Sequence, residues 1–207
     1  MTKEELLRQT DLFLFDLDGT VYLDNTPIPG APEALSRLRN GGKRVVFLTN
    51  NSSKTRAEYE VKLRALGLFA DGDAVYTSAD ATAEYLKAHH AGKRVYVLAT
   101  DAVRETFRAA GIALDESAPD VCVLAYDTTL TFEKLRRFNE FLARGAVYLA
   151  THPDDVCPTA DIPMPDVGSF LALFAWSGTE CTRISALPMQ TACAPFWCFR
   201  ARQRAQA

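Results

Sequence analysis

Much that marks other protein classes is missing from these 207 residues. The longest purely apolar run, Phe170 to Trp176, is far too short to span a bilayer, so no membrane segment is expected. The opening MTKEELLRQTD has no apolar stretch of signal-peptide type, which argues against secretion and for a cytoplasmic location. Internal repeats and low-complexity tracts are absent. The five cysteines (122, 157, 181, 193, 198) form no CxxC pair, and an odd number in a reducing compartment needs no disulfide. Neither sign of charge dominates: 23 basic against 26 acidic residues leave −3, so nothing at whole-chain level points to a nucleic-acid or membrane-surface partner. With 48% hydrophobic and 24% charged residues, the composition is that of a soluble globular protein and excludes collagen-like, coiled-coil and wholly disordered chains.

Charge is unevenly placed. Residues 1–175 hold 25 of the 26 acidic residues, whereas 176–207 contain four arginines, one glutamate, both tryptophans and three cysteines, with no lysine or aspartate. The character of the chain changes near Trp176.

Before that point, short β-branched or aromatic runs alternate with longer helix-period segments, the pattern of α/β units with mainly parallel strands. Strands are predicted near 12–16, 44–49, 74–78, 94–99, 121–125 and 146–150. The continuously apolar FLF and VVF runs are expected to be covered by helices on both faces. Pro32 and Gly41 bracket one helix. Ser52 or Ser53 is expected to cap the next, whose stripe is Tyr59, Leu63 and Leu66 and whose stop is Gly67. Further helices are predicted at about 79–90, 101–110 and 131–143, the last with Phe132, Leu135, Phe138 and Leu142 on its inner face. The segment 153–165, with four prolines, is expected to be a loop that joins neither helix nor ladder. His89 and His90 are expected to face solvent, and Cys122 to be an inert core thiol.

The chemistry centres on FLFDLDGTVYL. Strand alternation sends Asp16 and Asp18 the same way, and Gly19 permits a tight turn. Two carboxylates then converge at the carboxyl end of a parallel strand, where open α/β sheets bind ligands. Their repulsion calls for a cation, and hard oxygen donors favour Mg²⁺ with water and a substrate phosphate. One carboxylate can then attack phosphorus while the other protonates the leaving oxygen and later activates water. Asp16, at the strand end, suits the nucleophile and Asp18 the acid/base. One unit downstream, VVFLTNNSSK sets Thr49 and Asn50 at a strand end. Ser52 and Ser53 follow at an expected helix N-terminus, a combination that suits an anion.

The pairing of DLDGT with TNN, within FDLDGTVYLDNTPIPGAPEAL and FLTNNSSKTRAEYEVKLRALG, resembles the haloacid dehalogenase superfamily, in particular its NagD-like, 4-nitrophenylphosphatase-type members. VYTSADATAEYL, DVCVLAYDTTLTFEKLRRF and ARGAVYLATHPDDVCPT are similar to that group's inserted cap. The resemblance implies a Rossmann-like parallel-sheet core over 1–77, incomplete here, an α/β cap over 78–175, and a non-family tail over 176–207. It implies Asp16 as nucleophile and Mg²⁺ ligand, Asp18 as acid/base and Mg²⁺ ligand through its backbone carbonyl, and Thr49 and Asn50 as phosphate ligands with Asn51 nearby. Tyr126, Asp127, His152, Pro153 and Asp154 fall in loops that match the cap. The implied substrate is a small phosphorylated metabolite, and the implied partner a second copy paired through the cap. A catalytically dead remnant with residual metal or phosphate binding is the alternative; a phosphomutase is disfavoured by the large cap.

The family's Gly-Lys-Pro lysine and Gly-Asp-Arg…Thr-Asp aspartate have no counterpart, since no lysine follows Lys134 and no aspartate follows Asp166. Residues 176–207 resemble nothing in the family as written. Degenerate back-translation two bases on permits the missing Gly-Asp-Arg segment, so an out-of-frame tail after an omitted stretch is expected. Loss of the strands that follow would leave FLFDL at an open edge and weaken the electrostatics of catalysis.

Overall fold

Apolar strand runs and the helices between them build two parallel sheets in the computed structural model, which describes residues 2–174 and 181–183. The first sheet has the order β1 (Leu12–Asp16), β4 (Arg44–Thr49), β5 (Ala74–Thr77). Asp16 lies opposite Leu48 and Thr49 opposite Thr77, so the carboxyl ends of the three strands share one edge. Between β1 and β4 come a small antiparallel pair, β2 (Tyr22–Leu23) and β3 (Thr26–Pro27), and helix α2 (Ala31–Asn40). Helix α3 (Arg56–Ala65) follows β4. Phe13, Phe15, Val45, Phe47 and Val75 pack with Leu35, Tyr59 and Leu63 into one core.

The second sheet has the order β11 (Cys181–Arg183), β8 (Val147–Ala150), β7 (Val121–Leu124), β6 (Val95–Leu98), all parallel. Period-2 alternation splits its side chains between two helical layers. Val95, Val97, Val121 and Val123 face α4 (Ser78–His89) and α5 (Asp101–Ala109). Tyr96, Leu98, Cys122 and Leu124 face α6 (Phe132–Ala143) and α7 (Val167–Leu173). Each large side chain buried in this way, such as Phe107 or Phe138, stabilises the fold by about 1.5–3 kcal/mol. Cys122 is fully buried, and burial pushes its thiol up to about 12.

Several expectations are corrected. A helix absent from the sequence reading, α1 (Lys3–Gln9), opens the described chain with a capping box between Thr2 and Glu5. Strand β1 is not covered on both faces: Phe13 and Phe15 are buried, but Leu12 and Leu14 are half-exposed. It is also an edge strand among the described residues. Phe132 is 80% exposed: it is the first residue of α6, whose inward face is formed by Phe138, Phe141 and Leu142. The Pro-rich stretch does contain a ladder, β9 (Val156–Cys157) against β10 (Met164–Pro165). Pro165 fits there at the end of a two-residue edge pair, where one missing N–H costs little. Within the expected tail, Cys181–Arg183 pair with β8; the remainder of that segment, and with it the proposed change of frame, lies outside the described residues. No helix among the described residues is long and apolar enough to cross a membrane.

Candidate active site

Asp16 ends β1, and the chain then turns sharply. The Leu17 carbonyl accepts from the backbone N–H of Thr20 and of Val21, both at 3.1 Å, while Gly19 donates to the Tyr22 carbonyl at 2.8 Å. Gly19 has φ +80° with nothing near its missing Cβ, so the turn requires glycine for conformation and not for space. The Thr20 hydroxyl donates to Asp16 Oδ2 at 3.1 Å.

Both carboxyls are held above their ordinary range. Burial pushes Asp16 up to about 6 against hydrogen bonds from Leu17 and Thr20, with the Asp18 and Asp154 charges adding to the rise. Burial also raises Asp18, opposed by Lys62, Tyr22 and Lys54 and reinforced by Asp166. Although Tyr22 faces Asp18, neither the Tyr22 hydroxyl nor Asp18 Oδ2 has a partner within hydrogen-bond geometry, and both are buried. An unpaired buried carboxylate oxygen is costly and marks where an additional ligand fits. The cations near Asp18 come from α3 and the loop before it. Lys62 sits with its ammonium 3.8 Å from the Tyr22 ring centroid, and burial lowers its pKa.

The second motif is placed beside the first, but not as a helix N-terminus. Helix α3 begins later, capped by Thr55, whose hydroxyl accepts from Glu58 N while the Glu58 carboxylate accepts from Thr55 N. Ser52 and Ser53 are therefore not its caps. Thr49 is buried, and its hydroxyl accepts from Asn51 N at 3.1 Å. Asn51 Oδ1 accepts from Ser53 N and from the Ser53 hydroxyl at 3.0 and 2.6 Å. The backbone N–H groups of Asn51 and Ser53 are thus tied within the loop, while the Asn50 and Asn51 amides reach out of it.

Those amides meet the second sheet. Asn50 Nδ2 donates to Asp154 Oδ2 at 3.0 Å, and Asn51 Nδ2 lies 3.5 Å from Cys157 Sγ. The Ser52 hydroxyl is 2.9 Å from that of Thr151 and accepts from Tyr126 N at 2.8 Å. Thr100 donates to the Ser53 carbonyl at 3.1 Å. Thr100, Tyr126 and Thr151 follow the ends of β6, β7 and β8, so loop 50–53 bridges the carboxyl edges of both sheets.

The loop residues that the sequence set aside thus divide. Asp154 joins the site. His152 is buried behind it, bonded to Thr151 and Asp166. Tyr126 contributes its backbone N–H. Asp127 turns away, pairing with Lys134 at 2.6 Å and accepting from Thr129. Lys62, Cys157 and Asp166 were missed. Lys62 alone carried a readable signal, one turn before Leu66 on α3 and beside the apolar stripe. An open cleft of about 300 Å³ lined by Lys93, Asp120 and Arg144 lies at the opposite, amino-terminal edge of the second sheet.

Asp16 and Asp18 offer hard oxygen donors and one unsatisfied oxygen, a set that fits Mg²⁺, which takes few protein carboxylates. No group of three metal-ligating side chains occurs among the described residues.

A model of haloacid dehalogenase-like hydrolases matches residues 13–113. The sugar-phosphatase AraL of Bacillus subtilis is 34% identical over 173 residues, covering 83% of this chain and 64% of that protein. The chain thus spans less than two thirds of that relative's length. The crystal structure of 4-nitrophenylphosphatase from Thermotoga maritima superimposes with a TM-score of 0.80 at 41% identity, over 87% of this chain and 69% of that one. A glycerol phosphate phosphatase from Mycobacterium tuberculosis, in complex with magnesium, gives 0.78 at 31% identity over 86% and 55%. With its DLDGT turn, its TNN loop and both sheets matched in this way, the chain belongs to the haloacid dehalogenase superfamily, among its NagD-like, 4-nitrophenylphosphatase-type members.

Proposed function

We propose that this chain is a phosphoric monoester hydrolase that acts on a small phosphorylated metabolite with Mg²⁺ as cofactor. The observation that carries the reading is the meeting of Asp16 and the unpartnered Asp18 oxygen with the Thr49–Asn51 loop at one sheet edge. Asp16 attacks phosphorus to give an aspartyl-phosphate as the bond to the leaving oxygen breaks, and Asp18 supplies that oxygen's proton. Asp18 then takes a proton from water as it attacks phosphorus, which restores the Asp16 carboxylate. Asn50 and Asn51 hold the phosphoryl oxygens by their amides, with the Thr49 hydroxyl bracing the loop. Asp16 and the Asp18 backbone carbonyl would hold a divalent cation, which when bound would polarise the phosphoryl group.

Lys62 and Lys54 are the cations that act on Asp18. The second sheet serves as the cap, spanning 78–175, and we place the protein in the cytoplasm as a dimer paired through that unit. The names of the relatives support a sugar or polyol phosphate as substrate. The test is phosphate release from 4-nitrophenyl phosphate with Mg²⁺ present. It is expected to vanish in Asp16→Asn and on chelation; release that survives either would refute the reading. The second reading is a remnant that binds phosphate without turnover. Phosphate binding with no release from any ester would decide for it.

A further inference from the structure

Four polar side chains run in an unbroken buried file from the phosphate loop into the second sheet. Ser52, Thr151 and His152 are fully buried and Asp166 is 3% exposed. Ser52 Oγ lies 2.9 Å from Thr151 Oγ1, Thr151 Oγ1 lies 2.9 Å from His152 Nδ1, and His152 Nε2 lies 2.9 Å from Asp166 Oδ1. Tyr126 N enters the file at Ser52, and Val167 N leaves it at Asp166 Oδ1, at 2.8 and 2.7 Å.

The proton positions follow from donor and acceptor counting. A carboxylate at Asp166 accepts, so His152 donates from Nε2, and in the neutral ring Nδ1 accepts. Thr151 therefore donates to Nδ1 and accepts from Ser52, while Ser52 accepts from Tyr126 N. Every hydroxyl gives one hydrogen bond and receives one, and the neutral Nε2–H tautomer of His152 is the form that completes the file. A satisfied buried network of this kind fixes one arrangement of its members.

What it fixes is the amide pair. The His152–Asp166 bond closes the segment between them, and that segment carries Asp154 and Cys157, the residues that meet the Asn50 and Asn51 amides. Ser52, at the other end of the file, directly follows Asn51. Both sides of the Asn50–Asn51 pair are thus anchored by the same chain of hydrogen bonds. Resting on the phosphatase reading above, we propose that Thr151, His152 and Asp166 are positioning residues that hold the Asn50 and Asn51 amides in the orientation a phosphate requires.

Thr151→Val in the full chain keeps the side chain's shape and removes the central hydroxyl. The Asn50 and Asn51 side-chain amide resonances are expected to move, exchange at Tyr126 N to quicken, and affinity for inorganic phosphate to fall about tenfold, the scale of one lost buried hydrogen bond. Thr151→Ser is expected to restore all three. In the parent protein the His152 ring ¹⁵N shifts are expected to report the Nε2–H tautomer. A Thr151→Val protein that melts earlier but keeps parental amide resonances and Tyr126 exchange would overturn the proposal, as would the Nδ1–H tautomer. If Thr151→Val does not fold, Ser52→Ala cuts the same file from its other end and is read by the same resonances. Failure of the parent protein to bind inorganic phosphate would count against the functional reading alone, since the amide resonances decide the positioning role without it.

Discussion

Gly168 gives the sharpest test of how the second sheet presents Asp154. It lies in the first turn of α7, where alanine would ordinarily gain about 1 kcal/mol through helix propensity. A Cβ built there, however, would stand 2.4 Å from the Pro153 carbonyl oxygen, 2.5 Å from Asp155 Oδ1 and 2.8 Å from the Asp154 carbonyl carbon. Two of these atoms are backbone, and ordinary contact begins at 3.4 Å, so the 153–155 loop must retreat by about 1 Å. The retreat also strains the hydrogen bond from Gly168 N to the Asp154 carbonyl at 2.7 Å. Overpacking of this kind costs about 1–3 kcal/mol. Set against the helix gain, Gly168→Ala is expected to lose about 1 kcal/mol and to melt ~2–4 °C lower. Because Asp154 rides on the displaced loop, the Asn50 side-chain amide resonance should shift as well. A melting temperature that rises or stays constant would mean that the loop yields freely, and the claim that it is rigidly seated on α7 would be wrong.

Two further outcomes follow from the charge and edge geometry. Asp16 is raised from 3.8 to about 6, so the folded chain binds more protons than the unfolded one between those values; without metal, stability falls as pH rises through that window. In EDTA the denaturation midpoint is expected to drop across it, less so in Asp16→Asn, and Mg²⁺ is expected to raise the midpoint most above about pH 6; a flat profile in the parent protein refutes the burial argument. Strand β1 has an open edge among the described residues, with Leu12 and Leu14 half-exposed. Leu14→Lys should therefore reduce concentration-dependent association in sedimentation, and association unchanged by that charge would place the contact elsewhere.

The sequence was legible where structure is decided locally. Runs such as VVFLT and VCVLA became β4 and β7 because continuous apolar strands need cover, and DLDGT became a turn because Gly19 takes positive φ. Three capping boxes were equally local but went unread. Thr2 with Glu5 starts α1, Thr55 with Glu58 starts α3 and Thr77 with Asp80 starts α4, so Ser52 and Ser53 stand before the true cap of α3. A glutamate at the third helical position separates Thr55 from Ser52 and would have settled the choice. The partners of the Thr49–Ser53 loop were beyond any such rule. Asn50 meets Asp154 and Asn51 meets Cys157 across 104 and 106 residues, contacts set by how two sheets face each other and not by any periodicity.

An edge position raises the question of what holds Asp16 accurately enough for chemistry, since among the described residues β1 has a ladder on one side only. That ladder fixes the strand's height relative to Thr49 through the Asp16–Leu48 pairing, but it leaves the carboxyl's direction to the turn that follows. There the Leu17 carbonyl gathers the N–H groups of Thr20 and Val21, and this places the Thr20 hydroxyl against Asp16 Oδ2. Leu17 itself is fully buried, so the turn is pinned to the core by its side chain while its carbonyl organises the loop above. The orientation of the Asp16 carboxyl therefore depends on a buried leucine and a glycine of positive φ more than on the sheet. This allows the site to keep its shape on an edge strand, beside an Asp18 oxygen that no hydrogen bond satisfies.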